Sequence, residues 1–410
     1  MSKQFIDTKI LHTPYAKPDA YNALSMPVYQ SAAFEFDSAE AMEAAFLGKS
    51  TEHSYSRITN PTVQYFESRV QTITGGFSVT ALNSGMAAIT NTLIAIAKTG
   101  SNIVTSKHLF GNTYSFITST LGDFGVEARF CDLTNTEEVA AAVDKNTCAI
   151  FVEIISNPQL EVVDLKALST IAKQNNIPVV ADTTIVPFCA FNAKDWGVNI
   201  EVVSSTKYIS GGATSIGGLI IDYGNFNWLT STKLGSLAKQ FGPAAFTVKL
   251  RKEIHRNLGA YMTPQVAYQQ TLGLETLSLR YERATMNCLL LASKLENIKA
   301  IVAVNYCGLA SHKYYEISKK QFGERPGAML TIDLASRNDC FNFLNKLKLI
   351  KRATNLFDNK SLAIHPASTI FGTFTPEVRR DINVSDNTIR ISVGLENVED
   401  LFADIEQALI

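Results

Sequence analysis

The sequence predicts an α/β protein: a mostly parallel β-sheet flanked by helices, followed by a smaller α+β C-terminal domain. Three observations carry this. Strand-like and helix-like segments alternate regularly from Pro61 onward, the pattern of a parallel sheet covered on both faces. Residues 148–155, Cys-Ala-Ile-Phe-Val-Glu-Ile-Ile, are almost continuously apolar, as a strand buried on both faces requires. After about residue 250 long helical patterns dominate, and a shorter set of strands and helices closes the chain.

In order along the chain, residues 1–55 are interrupted by Pro14, Pro18 and Pro27 and read as an irregular, extended arm with one short helix at 39–46. Such an arm must pack on something else. Pro61 suits the first turn of a helix, which runs to about Thr72. There follow a strand at 78–82, an apolar helix at 84–97, a strand at 102–105 and a helix at 111–121. Next come a strand at 127–131, a helix at 136–143, the apolar strand 148–155, a helix at 164–175 and strands at 178–182 and 200–204. The run Gly211-Gly-Ala-Thr-Ser-Ile-Gly-Gly218 precedes a strand at 219–222, and a long helix occupies 276–296. Segments at 328–333, 387–392 and 398–409 complete the second domain. The expected organisation is an arm (1–55), a first domain (56–250) and a C-terminal domain (251–410).

Charge and cysteine usage exclude several classes. Lys+Arg 37 against Asp+Glu 38 leaves a net charge of −1, without the basic excess of a nucleic-acid binder or a polybasic membrane anchor. The six cysteines are scattered with no C-x-x-C pair, so they do not imply a disulfide framework. No apolar leader opens the sequence, and no run approaches the ~18 residues of a membrane span. A cytoplasmic protein with reduced thiols is expected. The six histidines are dispersed without metal-ligand spacing, so no metal is expected. Neither of the glycine-rich nucleotide motifs is present.

In sheets of this kind ligands sit beyond the carboxyl ends of the strands. There the segment Val202-Val-Ser-Ser-Thr-Lys-Tyr208 places Lys207 among hydroxyls and ahead of glycines. An isolated lysine at a strand end usually points into water. With Ser204 and Thr206 as phosphate donors beside it, Lys207 reads instead as an amine that forms an imine with an aldehyde cofactor. Asp182 ends another strand and can keep a pyridine nitrogen protonated; alone it would equally be a turn or cap residue. Ser84-Gly85-Met86 opens a helix, whose free amides and dipole bind anions. Arg390 alternates with Ile389 and Ile391, so it faces away from them and can hold a carboxylate bidentately.

Together these residues resemble the Cys/Met-metabolism (trans-sulfuration) family of pyridoxal-phosphate enzymes. The matching stretches are Tyr55-Ser-Arg57-Ile-Thr-Asn60-Pro-Thr62, Ser84-Gly-Met-Ala-Ala88, Glu153-Ile-Ile-Ser-Asn157-Pro158, Asp182-Thr-Thr184, Ser204-Ser-Thr-Lys207-Tyr208 and Arg390-Ile-Ser-Val-Gly394-Leu-Glu396. The resemblance implies a type I aminotransferase-like fold, with the first domain holding the cofactor, in a homotetramer of close dimers. It implies that Tyr55 and Arg57 of the arm reach the neighbouring protomer's cofactor, Arg57 at its phosphate. Ser84, Gly85, Met86, Thr184, Ser204 and Thr206 would contact the same cofactor, with Phe110 stacked on its ring. Asn157, Asn355 and Arg390 would hold the substrate carboxylate. Lys207 and Tyr55 would be the catalytic groups.

Within the family, the stretches Phe241-Gly-Pro-Ala-Ala-Phe246 and Lys360-Ser-Leu-Ala-Ile-His-Pro-Ala-Ser368 are most similar to O-acetylhomoserine sulfhydrylases. The activity so implied is replacement of acetate by sulfide or a small thiol on O-acetylhomoserine, giving homocysteine and acetate in methionine biosynthesis. Thr354 stands where cystathionine γ-lyases carry an acidic residue, and Asn112 where methionine γ-lyases tend to carry cysteine. Phe110 replaces the family's usual ring-stacking tyrosine and removes a phenolic proton donor, which Tyr55 could replace. Phe357 stands where relatives usually have glycine and reads as narrowing the pocket. Methionine or cystathionine γ-lyase and cystathionine γ-synthase remain alternatives, as does a regulatory protein that binds the cofactor without catalysis.

Overall fold

The computed structural model describes residues 5–15 and 19–410; the rest of the predicted arm, including Pro18, lies outside them. Seven strands form the central sheet: β1 (Ser78–Leu82), β2 (Asn102–Thr105), β3 (Glu127–Phe130), β4 (Thr147–Glu153), β5 (Val179–Asp182), β6 (Ile200–Val203) and β7 (Gly218–Asp222). Their order is β1-β7-β6-β5-β4-β2-β3. Every neighbouring pair is parallel except those of β7, which runs antiparallel to both β1 and β6.

Apolar burial explains the two-layered flanks. Along β4, Ile150 and Val152 join one core while Ala149 and Phe151 join the other, because successive strand side chains point to opposite faces. The strand is nearly all apolar since neither face meets water. Local chemistry sets the helix boundaries. Asn60 caps the helix Pro61–Thr74 through bonds from the Thr62 and Val63 amides, Pro61 fills its first turn, and Gly75 ends it at φ +66°, a conformation that glycine adopts freely. Ser84 caps the helix Gly85–Ile96 by accepting from the Ala87 amide.

The second sheet comprises β8 (Ala303–Asn305), β9 (Met329–Asp333), β10 (Lys351–Arg352), β11 (Leu362–Ile364) and β12 (Thr388–Ser392), ordered β10-β11-β12-β9-β8. Its pairs are antiparallel apart from β10 with β11. The helices Leu277–Leu295 and Val398–Leu409 pack together beside it. The α/β class with a smaller mixed C-terminal unit is therefore as the sequence predicts. Among the described residues no helix is long and apolar enough to cross a membrane.

Two expectations are corrected and a third is refined. The first part of the arm is not irregular: Ile6–His12 is a helix, with Ile10 2% exposed and its carbonyl held by Arg69. Ile6 and Ile10 fall on one helical face, and that face packs on Pro61–Thr74 of the same chain. The helix expected at 111–121 is present and runs without interruption from Gly111 to Asp123, but its middle, Phe116–Thr120, is a wider π turn. At the junction the Thr118 hydroxyl bonds back to the Tyr114 carbonyl at 2.9 Å, a contact that bends helices. The strand expected at 148–155 stops at Glu153, because its partner β5 ends at Asp182 and offers no further ladder.

Candidate active site

Beyond the carboxyl ends of β1, β4, β5 and β6 opens a cavity of about 570 Å³. Lining it are Ser84, Gly85, Met86, Phe110, Asn157, Asp182, Thr184, Ser204, Thr206, Lys207 and Arg390, all singled out from the sequence. Asn355 adjoins them: its Oδ1 accepts a bond from Lys207 Nζ at 2.8 Å. Tyr55 and Arg57 are not brought there by their own chain. Tyr55 bridges to Ala33, the Arg57 guanidinium lies 5.4 Å from the Tyr55 ring, and Arg57 Nη1 donates to the Arg256 carbonyl at 2.7 Å.

One wall is built for an anion. Gly85 and Met86 open the helix Gly85–Ile96, where the first amides have no partner within the helix. A side chain on Gly85 would lie 2.6 Å from Ser204 Cβ, and one on Gly218 would lie 2.0 Å from the Ser84 carbonyl oxygen. The glycine-rich run thus serves the close approach of β7 to the turn after β1. Ser204 is held by a bond from its amide to Thr184 Oγ1 at 2.8 Å. The Thr206 hydroxyl donates to the Gly217 carbonyl at 3.1 Å and accepts from the Gly217 amide at 3.0 Å.

The opposite wall is cationic. Arg390, 2% exposed, donates to Asn157 Oδ1 at 3.1 Å and to the Asn355 carbonyl at 3.4 Å. Its Nε and the Asn355 Nδ2 are buried without a partner. Leaving buried donors unpaired is costly, so both await an acceptor, and a carboxylate supplies two oxygens. Burial pulls the Arg390 guanidinium below its ordinary range.

Between the walls stand Lys207 and Asp182. Burial, reinforced by the Arg390 charge, lowers the Lys207 amine to about 8, with Asp182 opposing. Its amine therefore gives up a proton far more readily than an exposed lysine. Burial raises the Asp182 carboxyl, while hydrogen bonds from Thr184 and the Lys207 charge hold it down. A cationic ring nitrogen placed against it would favour its ionised form.

Sequence reasoning gave no role to Glu153, which lies in the cavity wall beside Asp182; an acidic residue ending an otherwise apolar buried strand was the available signal. It also missed Ile185, Ile216, Leu356 and Ile370, which make the rest of the wall apolar. Phe357 is corrected: it does not narrow the cavity. Its side chain is 2% exposed and stacks on Tyr208 with ring centres 4.4 Å apart, away from the cavity lining. Its φ is +56°, which explains why glycine suits this position.

An amine of lowered basicity, a carboxyl facing it, an anion-binding helix start and a buried guanidinium with an unpaired Nε fit pyridoxal phosphate and an amino-acid substrate. The comparisons with known proteins agree. Residues 7–410 match the family of Cys/Met metabolism PLP-dependent enzymes. An O-acetylhomoserine sulfhydrylase of Wolinella succinogenes is 44% identical, covering 87% of this chain and 99% of its own, with a TM-score of 0.78. The L-methionine gamma-lyase of Fusobacterium nucleatum is 36% identical over 100% of this chain and 99% of its own. A candidate O-acetylhomoserine (thiol)-lyase of Campylobacter jejuni, solved with a pyridoxyl-lysine monophosphate, is 32% identical with a TM-score of 0.92, covering 99% of this chain and 100% of its own. The chain belongs to the Cys/Met-metabolism family of pyridoxal-phosphate-dependent enzymes and acts on amino acids.

Proposed function

We propose that the enzyme replaces the acetate of O-acetylhomoserine by sulfide or a small thiol, giving homocysteine or its thioether, in the cytoplasm and as a homotetramer of close dimers. The observation that carries this reading is Phe110 in the cavity wall: among the described residues no tyrosine of the same chain lines it, so a neighbouring protomer's Tyr55 is the one phenol that could serve as an acid there. Acetate is a weak base and departs with little protonation, whereas a thiolate leaving group needs a nearby acid. Among the described residues the carboxyls in the lining are those of Glu153 and Asp182 at the strand ends. Thr354 itself offers no charge to a distal ammonium such as that of cystathionine, and an unpaired buried charge is costly.

The residues then divide the work. Arg390, Asn157 and Asn355 bind the substrate carboxylate. The helix start at Ser84–Met86, with Ser204 and Thr206, binds the cofactor phosphate, while Phe110 and Thr184 hold its ring. Asp182 keeps the ring nitrogen protonated. Pyridoxal phosphate, when bound, supplies the electron sink that makes the substrate Cα–H acidic. Lys207, neutral near its lowered pKa of about 8, removes that proton and returns it at the neighbouring carbons. The arm of a neighbouring protomer would add Tyr55 and Arg57. In one chain this arm leaves Tyr21 92% and Leu24 100% exposed, apolar surface suited to an intersubunit contact.

A second reading, γ-elimination of L-methionine, is favoured by the full-length match to the Fusobacterium enzyme. Two incubations decide between them. The proposal expects homocysteine from O-acetylhomoserine with sulfide, and slow α-keto acid release from methionine alone. Rapid keto-acid release with no homocysteine would replace it by the lyase reading.

A further inference from the structure

Among the described residues, Glu153 is the one ionisable group of the cavity wall to which the proposed reaction gives no task. Its position is well defined. It is the last residue of β4, 9% exposed, and pairs in register with Asp182 at the end of β5. Neighbouring side chains in register point to the same face, so the two carboxyls stand side by side. Its Oε1 accepts the Phe110 amide at 2.7 Å. Phe110 directly precedes the turn Gly111–Ser115, so this bond anchors the backbone at the root of the ring that lies in the cavity.

Two carboxyls side by side at neighbouring strand ends, each largely shielded from water, oppose each other's ionisation. The groups around the pair are unequal. Asp182 faces Lys207 and receives bonds from Thr184. Glu153 meets the Phe110 and Asn157 amides and the Asp182 carboxyl itself, and burial raises it well above the ordinary carboxyl range. Burial raises both carboxyls, and Asp182 alone has the Lys207 charge opposing that rise, so Glu153 is the better placed of the two to hold a shared proton. A neutral acid still accepts the Phe110 bond through its carbonyl oxygen, and it leaves Asp182 as the sole negative charge at the strand ends.

We infer that Glu153 is a positioning residue that works as a neutral acid: it fixes Phe110 through the backbone and leaves the negative charge on Asp182. The inference rests on the reading of Asp182 and Phe110 as cofactor contacts. What the reaction requires at this position is an uncharged acceptor of glutamate's shape.

Holoenzyme variants Glu153→Gln and Glu153→Met test it, with Asp182→Asn measured alongside. The glutamine variant keeps the acceptor and lacks the charge; it is expected to retain kcat within about twofold and the visible circular dichroism of the bound cofactor. The methionine variant keeps the volume and lacks the acceptor. It is expected to lose about tenfold or more in kcat, with a smaller change in KM, and to weaken the cofactor's dichroism as the ring loses its fixed partner. Equal losses in both variants would overturn the inference, since an ionised carboxylate would then be required; so would a methionine variant indistinguishable from the unsubstituted enzyme. If the methionine variant fails to fold, the glutamine variant decides: retention supports the inference, and a tenfold loss ends it. Failure of the underlying cofactor reading has a different signature, an Asp182→Asn enzyme with unchanged spectrum and rate.

Discussion

Two buried arginines of this chain do opposite things with the same guanidinium. Arg280, on the helix Leu277–Leu295, donates from Nε to Thr276 Oγ1 at 3.0 Å and from its two Nη atoms to the carbonyls of Tyr208 and Gly273. It thereby ties that helix to the segment just after Lys207. Arg390 lines the cavity with its Nε unpaired and, among the described residues, without an ion-pair partner. Among the described residues neither arginine has an acidic partner, yet one has all three nitrogens bonded, to two carbonyls and a hydroxyl, and the other keeps its Nε open. Saturation marks a residue that holds the fold, whereas an open valence in a buried cation marks one that waits for a ligand.

Substitution separates the two regions. The largest effect belongs to the cavity: Lys207→Met removes the base and is expected to lower kcat by about 10⁴-fold or more, with the fold retained. Arg390→Met is expected to lower kcat/KM by about a hundred- to thousandfold, the range for losing one side of a buried charged contact. Its melting temperature should stay the same or rise, because an uncompensated buried charge has gone. Arg280→Met should reverse the pattern. It strands buried carbonyls at about 1–3 kcal/mol each, so it should unfold at lower denaturant while the surviving folded enzyme keeps its KM. An Arg280 variant that loses substrate affinity, or an Arg390 variant that loses only stability, would erase the distinction.

The distinction also measures how much the sequence disclosed. Lys207, Asp182 and the turn at Ser84 were legible because they fall at or just beyond strand ends, where chain direction alone brings them together; Arg390, in the middle of β12, was legible only by its alternation with Ile389 and Ile391. The sheet itself was legible because β4 and its neighbours are apolar on both faces. The insertion of β7 between β1 and β6 was not, since antiparallel pairing leaves no mark on a short apolar strand. The helix Ile6–His12 was hidden by the prolines around it. Glu153 was overlooked because its bond goes to a backbone amide far along the chain, which no spacing rule reveals. Tyr55 and Arg57 came only from resemblance, and nothing in one chain draws them to the cavity.

A smaller effect concerns protons on Lys207 in the enzyme stripped of its cofactor. An unfolded chain holds this amine at the ordinary lysine value of 10.5, and the folded cavity lowers it to about 8. Between those values the unfolded state binds more protons, so the contribution of Lys207 to stability rises with pH. Below about pH 8 its burial penalty is fully present, on the order of a few kcal/mol. Subtracting the stability of Lys207→Met from that of the unsubstituted apoenzyme, by denaturant titration across pH, cancels the other titrating groups. The difference should favour methionine at neutral pH and shrink through the window from 8 to 10.5. A flat difference would mean that the amine is solvated and that the cavity does not tune it.

The smallest effect on activity is expected at Phe357, and it decides to which region that residue belongs. Its ring stacks on Tyr208, whose carbonyl Arg280 holds and whose hydroxyl accepts the Ala328 amide at 2.9 Å. That places it in the saturated region. Phe357→Ala should therefore leave kcat/KM within about twofold while costing about 3–4 kcal/mol of stability through the emptied volume. Phe357→Gly is the sharper variant. In most folded positions glycine is the less stable of the two by about 0.5–1 kcal/mol. Here the backbone sits at φ +56°, where a Cβ costs about 1–2 kcal/mol and glycine none. The glycine variant should accordingly be more stable than the alanine variant, a reversal that no account based on side-chain packing alone produces. Paired denaturant curves read the order directly. If alanine proves the more stable, the strain at Phe357 is not real; if either variant changes KM severalfold, the aromatic pair is part of the cavity after all.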